Sequence, residues 1–146
     1  MPLTLPLSAS LITAVIVQLA CQAFKVVVNS VRERRLALSW FFSTGGMPSA
    51  HSAFVTALSV SIGLRSGFQS ELFAVAFVFS IIVIYDSWRL RGAVQHQAKI
   101  IKMLARDRPD VPAGELRENT GHSPAEIVAG VLAGGGLALL GWLLLR

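Results

Sequence analysis

Cysteine and charge are what this chain has least of. The one cysteine, Cys21, sits inside an apolar tract and excludes a disulfide framework. Charged residues make up 14% of the 146 residues. A soluble domain carries about 25%, so the chain has too little charge to build a water-facing surface. Metal-ligand spacing is also missing: there is no CxxC, no HExxH and no aspartate-rich run. Neither a metal nor a cofactor is therefore expected. The first residues, Met1-Pro2-Leu3-Thr4-Leu5-Pro6, lack the basic region of a signal peptide. The apolar segment that follows is thus expected to stay as a span. No internal repeat or low-complexity linker is found.

What is abundant is apolar. Hydrophobic residues reach 53% and mean hydropathy is +0.62. The charges cluster, leaving uncharged tracts between them, and crossing a bilayer takes about 20 apolar residues. The expectation is an all-α integral membrane bundle with about four transmembrane helices, forming a single domain over 1–146. The first tract, Leu3 to Phe24, is uncharged and ends near Lys25. A basic connection, Arg32-Glu33-Arg34-Arg35, leads to Trp40-Phe41-Phe42, a cluster suited to the membrane interface. The second tract runs from Met47 to Leu64, with His51 its one titratable group. The third, Leu72 to Tyr85, is short, but its helical pattern continues past Asp86 as a polar extension to about Leu104. Asp107 to Gly114, with Pro109 and Pro112, reads as a loop, and Ile127 to Leu145 as the last span.

Joined up and down, these spans place 11 of the 13 basic residues on one membrane face, with Arg65 and Arg146 opposite. Positive-inside bias then puts that face in the cytoplasm and both termini outside, in a plasma (inner) membrane. The net charge of +5 fits anionic head groups better than nucleic acid, because the arginines flank membrane spans.

Thr44 to Ser52 is the stretch around which the rest is organised. Two glycines and Pro48 break the chain, and a helical apolar run follows at once. A helix N-terminus gathers free N–H groups and the positive dipole end, which suits an anion. Ser49 adds a hydroxyl there and His51 an imidazole. A second histidine, His122, lies four residues before Glu126. On one helix face that carboxylate can accept from the imidazole and fix its tautomer, as a nucleophilic or general-base histidine requires. Ser123-Pro124-Ala125-Glu126 is equally a capping box with proline at the first helical position. Lys25 and Arg32 stand two helical turns apart, where snorkelling at a membrane edge is the alternative role. Asp86 can pair with Arg89 or Arg91, and His96 reads as a solvated side chain. Two histidines, a glycine-rich helix start and several cations on one face suit a tetrahedral, multiply charged oxyanion beside a lipid tail.

At these residues the chain resembles the type-2 phosphatidic acid phosphatase superfamily, which includes vanadium-dependent haloperoxidases. Its motifs are KxxxxxxRP, PSGH and SRxxxxxHxxxD. Here Lys25 and Arg32, then Pro48-Ser49-Ala50-His51, then His122 and Glu126 stand in their places. The similarity is greatest to a divergent branch of small membrane proteins, whose signatures resemble GGMPSSHSA, YDAxGVRRxAGxQA and LGHTPxEVxxG. These correspond to Gly45–Ala53, Tyr85–Ala98 and Thr120–Gly130. Departures are Glu33 for proline, Ala50 for glycine, Glu126 for aspartate and Leu116 for the third-motif arginine, which leaves Arg91 or Arg117 to supply that cation.

The resemblance implies a metal-independent phosphatase acting on a lipid phosphate or diphosphate. His122 would attack phosphorus to form a phosphohistidine, oriented by Glu126, and His51 would protonate the leaving group. Lys25, Arg32, Ser49 and backbone N–H groups such as that of Gly46 would bind phosphate oxygens. Asp86, Arg91 and Gln97 match branch-specific positions with a polar supporting or phosphate-contacting role. Many lipid phosphatases have six spans, so a homo-oligomer in which a second copy completes the pocket is an implied arrangement. The alternative is a non-catalytic membrane protein that binds anionic head groups or scaffolds a partner; it needs the cations but not the His122/Glu126 pair.

Overall fold

A computed structural model describes residues 8–43, 45–106 and 121–144. They form five α-helices: α1 (Ala9–Glu33), α2 (Ala50–Ser66), α3 (Glu71–Tyr85), α4 (Arg91–Leu104) and α5 (Pro124–Leu144). A 3-10 turn, Leu38–Phe42, precedes α2, and a π turn, Asp86–Leu90, joins α3 to α4 without a break. No strand occurs among the described residues, as the all-α expectation requires.

Helix α1 outruns its uncharged tract. Ser8 caps its start, with the hydroxyl accepting from the Leu11 N–H at 3.2 Å. Its end is Arg34 in the left-handed region at φ 52°, whose N–H reaches the carbonyls of Ser30 and Val31. Lys25, Asn29 and Arg32 therefore lie inside the helix. Charge alone does not stop a helix here, because these residues turn toward a polar space rather than into lipid. The third segment extends to Leu104 as expected, and Glu71–Leu104 forms one helix of 34 residues. At 1.5 Å per residue it is about 51 Å long, well beyond the roughly 30 Å of a hydrocarbon core.

Among the described residues, three helices are long and apolar enough to cross a membrane: Ala9–Glu33, Glu71–Leu104 and Pro124–Leu144. The expected second span, α2, has 17 residues and is the central helix. It packs against α1, α3 and α5, and its Ala50, Ala53 and Ala57 are 0–1% exposed. Small residues dominate the core, with Ala14, Cys21 and Ala138 joining those three. Large apolar side chains point outward instead, such as Val75, Phe79 and Ile82 on α3. Lipid tails are as apolar as leucine, so burying leucine between helices gains little in a membrane. Close backbone approach holds helices together instead. Gly134 shows that approach: a Cβ there would stand 2.8 Å from Ala53 Cα. Between α2 and α3, Ser59 Oγ and Ser80 Oγ lie 2.7 Å apart, and each also bonds a carbonyl, Ala76 O at 3.0 Å and Val55 O at 3.0 Å. These bonds satisfy hydroxyls that lipid cannot.

Candidate active site

The C-terminal turns of α1, the loop before α2, the start of α4 and the head of α5 meet around a cavity of about 680 Å³. Val28, Asn29 and Arg32 line it from α1, with Trp40 from the 3-10 turn. Gly45, Gly46 and Met47 form a second side, Trp88, Gly92 and Gln95 a third, and Gly121, His122, Ser123 and Glu126 a fourth. The expected convergence on one end of the bundle is thus present for these segments.

His122 is held from three directions. Its backbone N–H donates to the Ser87 carbonyl at 3.2 Å. The preceding Gly121 N–H donates to Gln95 Oε1 at 3.0 Å. Gly121 also lies so close to α4 that a Cβ would meet the Gly92 backbone at 2.9 Å. The imidazole Nδ1 lies 3.1 Å from Glu126 Oε2, while Nε2 is buried and has no hydrogen-bond partner among the described residues. Buried polar atoms are nearly always paired, and the residue that carries this one lines the cavity. Glu126 performs both roles that its spacing allows. The same Oε2 accepts from the Ser123 N–H at 3.0 Å, and Ser123 Oγ accepts from the Glu126 N–H at 3.3 Å, closing the capping box. Burial pushes the His122 imidazole below its ordinary pKa; the hydrogen bond and charge of Glu126 act in the opposite direction. The ring is thus neutral at neutral pH, with Nδ1–H donating to the carboxylate and the Nε2 lone pair free.

His51, in the first turn of α2, brings its ring centroid 6.2 Å from that of His122, tilted by 59°. The charged groups acting on His51 include Arg91, Lys25 and Asp86. Lys25 is 1% exposed, and its Cδ lies 4.0 Å from where a Gly46 Cβ would be. Its stem packs beneath the loop while its charge acts on Glu126, His51 and His122. Gly46 itself sits at φ 90°, a conformation open to glycine, which turns the loop over the cavity.

Of the expected site residues, Arg32, Gly46, His122 and Glu126 line the cavity, and Lys25, Ser49, His51, Asp86, Arg91 and Gln97 do not. Ser49 is 0% exposed, and its Oγ is occupied capping α2 through the Ser52 N–H at 3.3 Å and the Ser52 hydroxyl at 3.0 Å. Its backbone N–H donates to the Glu126 carbonyl at 2.9 Å, so Ser49 ties α2 to α5 rather than facing a phosphate. Gln97 is exposed and lies on the wrong side of α4. Gln95, two residues earlier, lines the cavity instead, because a helix turns about 200° in two residues. Asp86 and Arg91 pair at 3.1 Å at the rim, each side chain more than a third exposed. The π turn aligns positions five apart, which selects Arg91 over Arg89 as the partner, and Arg89 rests over the Trp88 ring at 5.6 Å. Arg117 lies outside the described residues.

Trp40, Trp88, Asn29 and Gln95 were not legible as site residues. Trp40 had a signal in Glu33, which stands where the superfamily motif has proline. Glu33 Oε1 accepts from Trp40 Nε1 at 2.8 Å, and Arg35 holds its other oxygen at 2.9 Å. That pair fixes an indole at the cavity mouth, which a proline cannot do.

The chain was compared with known proteins. A model of the Divergent PAP2 family matches residues 7–137. YuiD of Bacillus subtilis (strain 168), described as an uncharacterized membrane protein, is 39% identical over 127 residues, covering 77% of this chain and 80% of YuiD. No solved structure matches. With the matched segment holding both histidines, the glycine loop and the α1 cations, this chain belongs to the Divergent PAP2 family.

Proposed function

We propose that this membrane protein is a phosphatase that hydrolyses a lipid phosphate or diphosphate through a phosphohistidine. The observation that carries the reading is the His122 ring: Nδ1 on a carboxylate, Nε2 buried and unpartnered at a cavity wall, and a second imidazole 6.2 Å away. His122 Nε2 attacks phosphorus as the P–O bond to the lipid breaks, and His51 gives its proton to the departing oxygen. Water then attacks the phosphohistidine with His51 taking its proton, which releases phosphate and restores both rings. Lys25, Arg32 and Arg91 supply positive charge to the transferring group, which spreads negative charge over its oxygens in the transition state. The clustering of cations at this end supports a cytoplasmic position for the cavity, by positive-inside bias.

The test is phosphate release from a panel of lipid phosphates by purified protein, with orthovanadate as competitor, alongside His122→Ala. Turnover by the wild type, inhibition by vanadate and loss of turnover in a folded His122→Ala protein are the expected results. Undiminished release by His122→Ala removes the assigned nucleophile. Vanadate binding without turnover on any lipid class would make the protein a head-group binder instead.

A further inference from the structure

Beside the polar cavity lies a second, apolar hollow of about 300 Å³, lined by Ala20, Cys21, Phe24, Pro48, Ala133 and Leu137. It opens between α1 and α5, and apart from the Cys21 thiol its lining side chains are hydrocarbon. Three features align it with the cavity. On α1, Ala20, Phe24 and the cavity-lining Val28 follow at four-residue steps, so they share one face. On α5, the cavity-lining Glu126 and the groove residues Ala133 and Leu137 are seven and eleven apart, again on one face. In the loop, Met47 lines the cavity and its neighbour Pro48 the groove. From Val28 to Ala20 the helix rises about 12 Å, and from Glu126 to Leu137 about 16 Å. The hollow therefore lies on the same faces of both helices as the polar site, along their membrane-crossing parts.

We propose that this groove seats one hydrocarbon chain of the molecule whose phosphate occupies the cavity. The inference rests on the phosphatase reading for its catalytic readout. Size sets the chain number: a cavity of about 150 Å³ accommodates benzene, with six carbons, so about 300 Å³ takes roughly a dozen carbons, one chain and not two. Phe24, 54% exposed, stands at the outer edge of the groove, where a chain can slide in sideways from the bilayer.

The experiment compares ethyl, hexyl, dodecyl and octadecyl phosphate as substrates for the wild type, Ala20→Phe and Ala133→Phe. The wild type is expected to improve up to about twelve carbons and then level off. Each phenylalanine should lower kcat/KM for dodecyl phosphate at least about tenfold, the effect of a misfit in a hydrophobic pocket, and leave ethyl phosphate within twofold. Unchanged ethyl phosphate turnover also shows the variants to be folded, and Ala20, an exposed position, accepts a larger side chain readily. Equal loss on both substrates by Ala20→Phe, or no loss on dodecyl phosphate, overturns the groove. No turnover of any substrate by the wild type overturns the phosphatase reading alone. A photoreactive dodecyl phosphate then reads the groove directly. Labelling of α1 and α5 near Phe24 and Leu137, competed by dodecyl but not ethyl phosphate, supports it, and labelling confined to α3 refutes it.

Discussion

Glu126→Gln separates helix capping from catalysis, the two roles that meet at one carboxylate oxygen. Glu126 Oε2 accepts from both Ser123 N–H at 3.0 Å and His122 Nδ1 at 3.1 Å. A glutamine can keep the first bond with its amide oxygen, and Ser123 Oγ still accepts from the residue-126 N–H, so the cap survives. A complete loss of capping is worth about 1 kcal/mol, and the loss here should be smaller. The second bond changes in kind. Losing a charge-assisted hydrogen bond costs about 1.5–3 kcal/mol, a factor of about ten to a hundred in rate. An amide turned the other way, with N–H toward Nδ1, would drive the imidazole to the tautomer with its proton on Nε2, a loss of about 10⁴ in a comparable triad, and would give up the Ser123 bond as well, because one oxygen accepts both. Single-turnover phosphate release should thus fall by about 10–10⁴, with thermal unfolding changed by about 1 kcal/mol at most. The pH profile adds a second readout. Attack requires neutral His122 and a protonated His51, so kcat/KM follows a bell whose acidic limb is set by the His122 pKa, which burial has already moved below the ordinary value of about 6.5. Glu126 opposes that shift, so Glu126→Gln should move the acidic limb to still lower pH. Turnover within twofold of wild type, with the limb unmoved, would show Glu126 to be a cap and nothing more.

Three further outcomes are expected. His51→Ala should slow release by about 10²–10⁴, the usual contribution of general acid–base catalysis, and the deficit should shrink on a substrate whose leaving group needs no proton, measured by stopped-flow product release. Gly134→Ala should destabilise the bundle by about 1–3 kcal/mol, because the added Cβ meets the Ala53 backbone, which cannot rotate away. Gly136→Ala meets nothing within 4 Å and should be neutral or slightly stabilising, and thermal melts of the two in one detergent decide it. Gln95→Ala should impair turnover by freeing the Gly121 N–H and loosening His122, while Gln97→Ala should leave kcat and KM unchanged.

Much of the architecture was legible because a bilayer imposes its demand on composition directly. The tract lengths, the continuation of the third helix to Leu104 and the proline at the start of α5 all follow from local rules. Boundaries were less legible where charge stood inside a helix. Lys25 and Arg32 read as the end of a span, yet α1 carries both, since Arg32 lines the cavity and Lys25 is buried inside the bundle rather than facing lipid. The second tract looked like another span by composition. Its 17-residue helix became the central one because its alanines and serines allow three neighbours to approach, a property of packing that composition does not record.

The chain's own chemistry determined that a membrane protein would carry two histidines, a glycine-broken helix start and a cluster of cations. The pairing of His122 with Glu126 was written in their four-residue spacing, since a helix enforces it. Tertiary structure decided the rest. It turned Ser49 inward and Gln95 toward the cavity, chose Arg91 for Asp86 through a π turn, and set the two imidazoles 6.2 Å apart. It also set an apolar groove along α1 and α5, on the faces that carry that site. These choices depend on the rotation of one helix about its axis relative to another, and that rotation is fixed by glycine and alanine contacts between segments far apart in the chain.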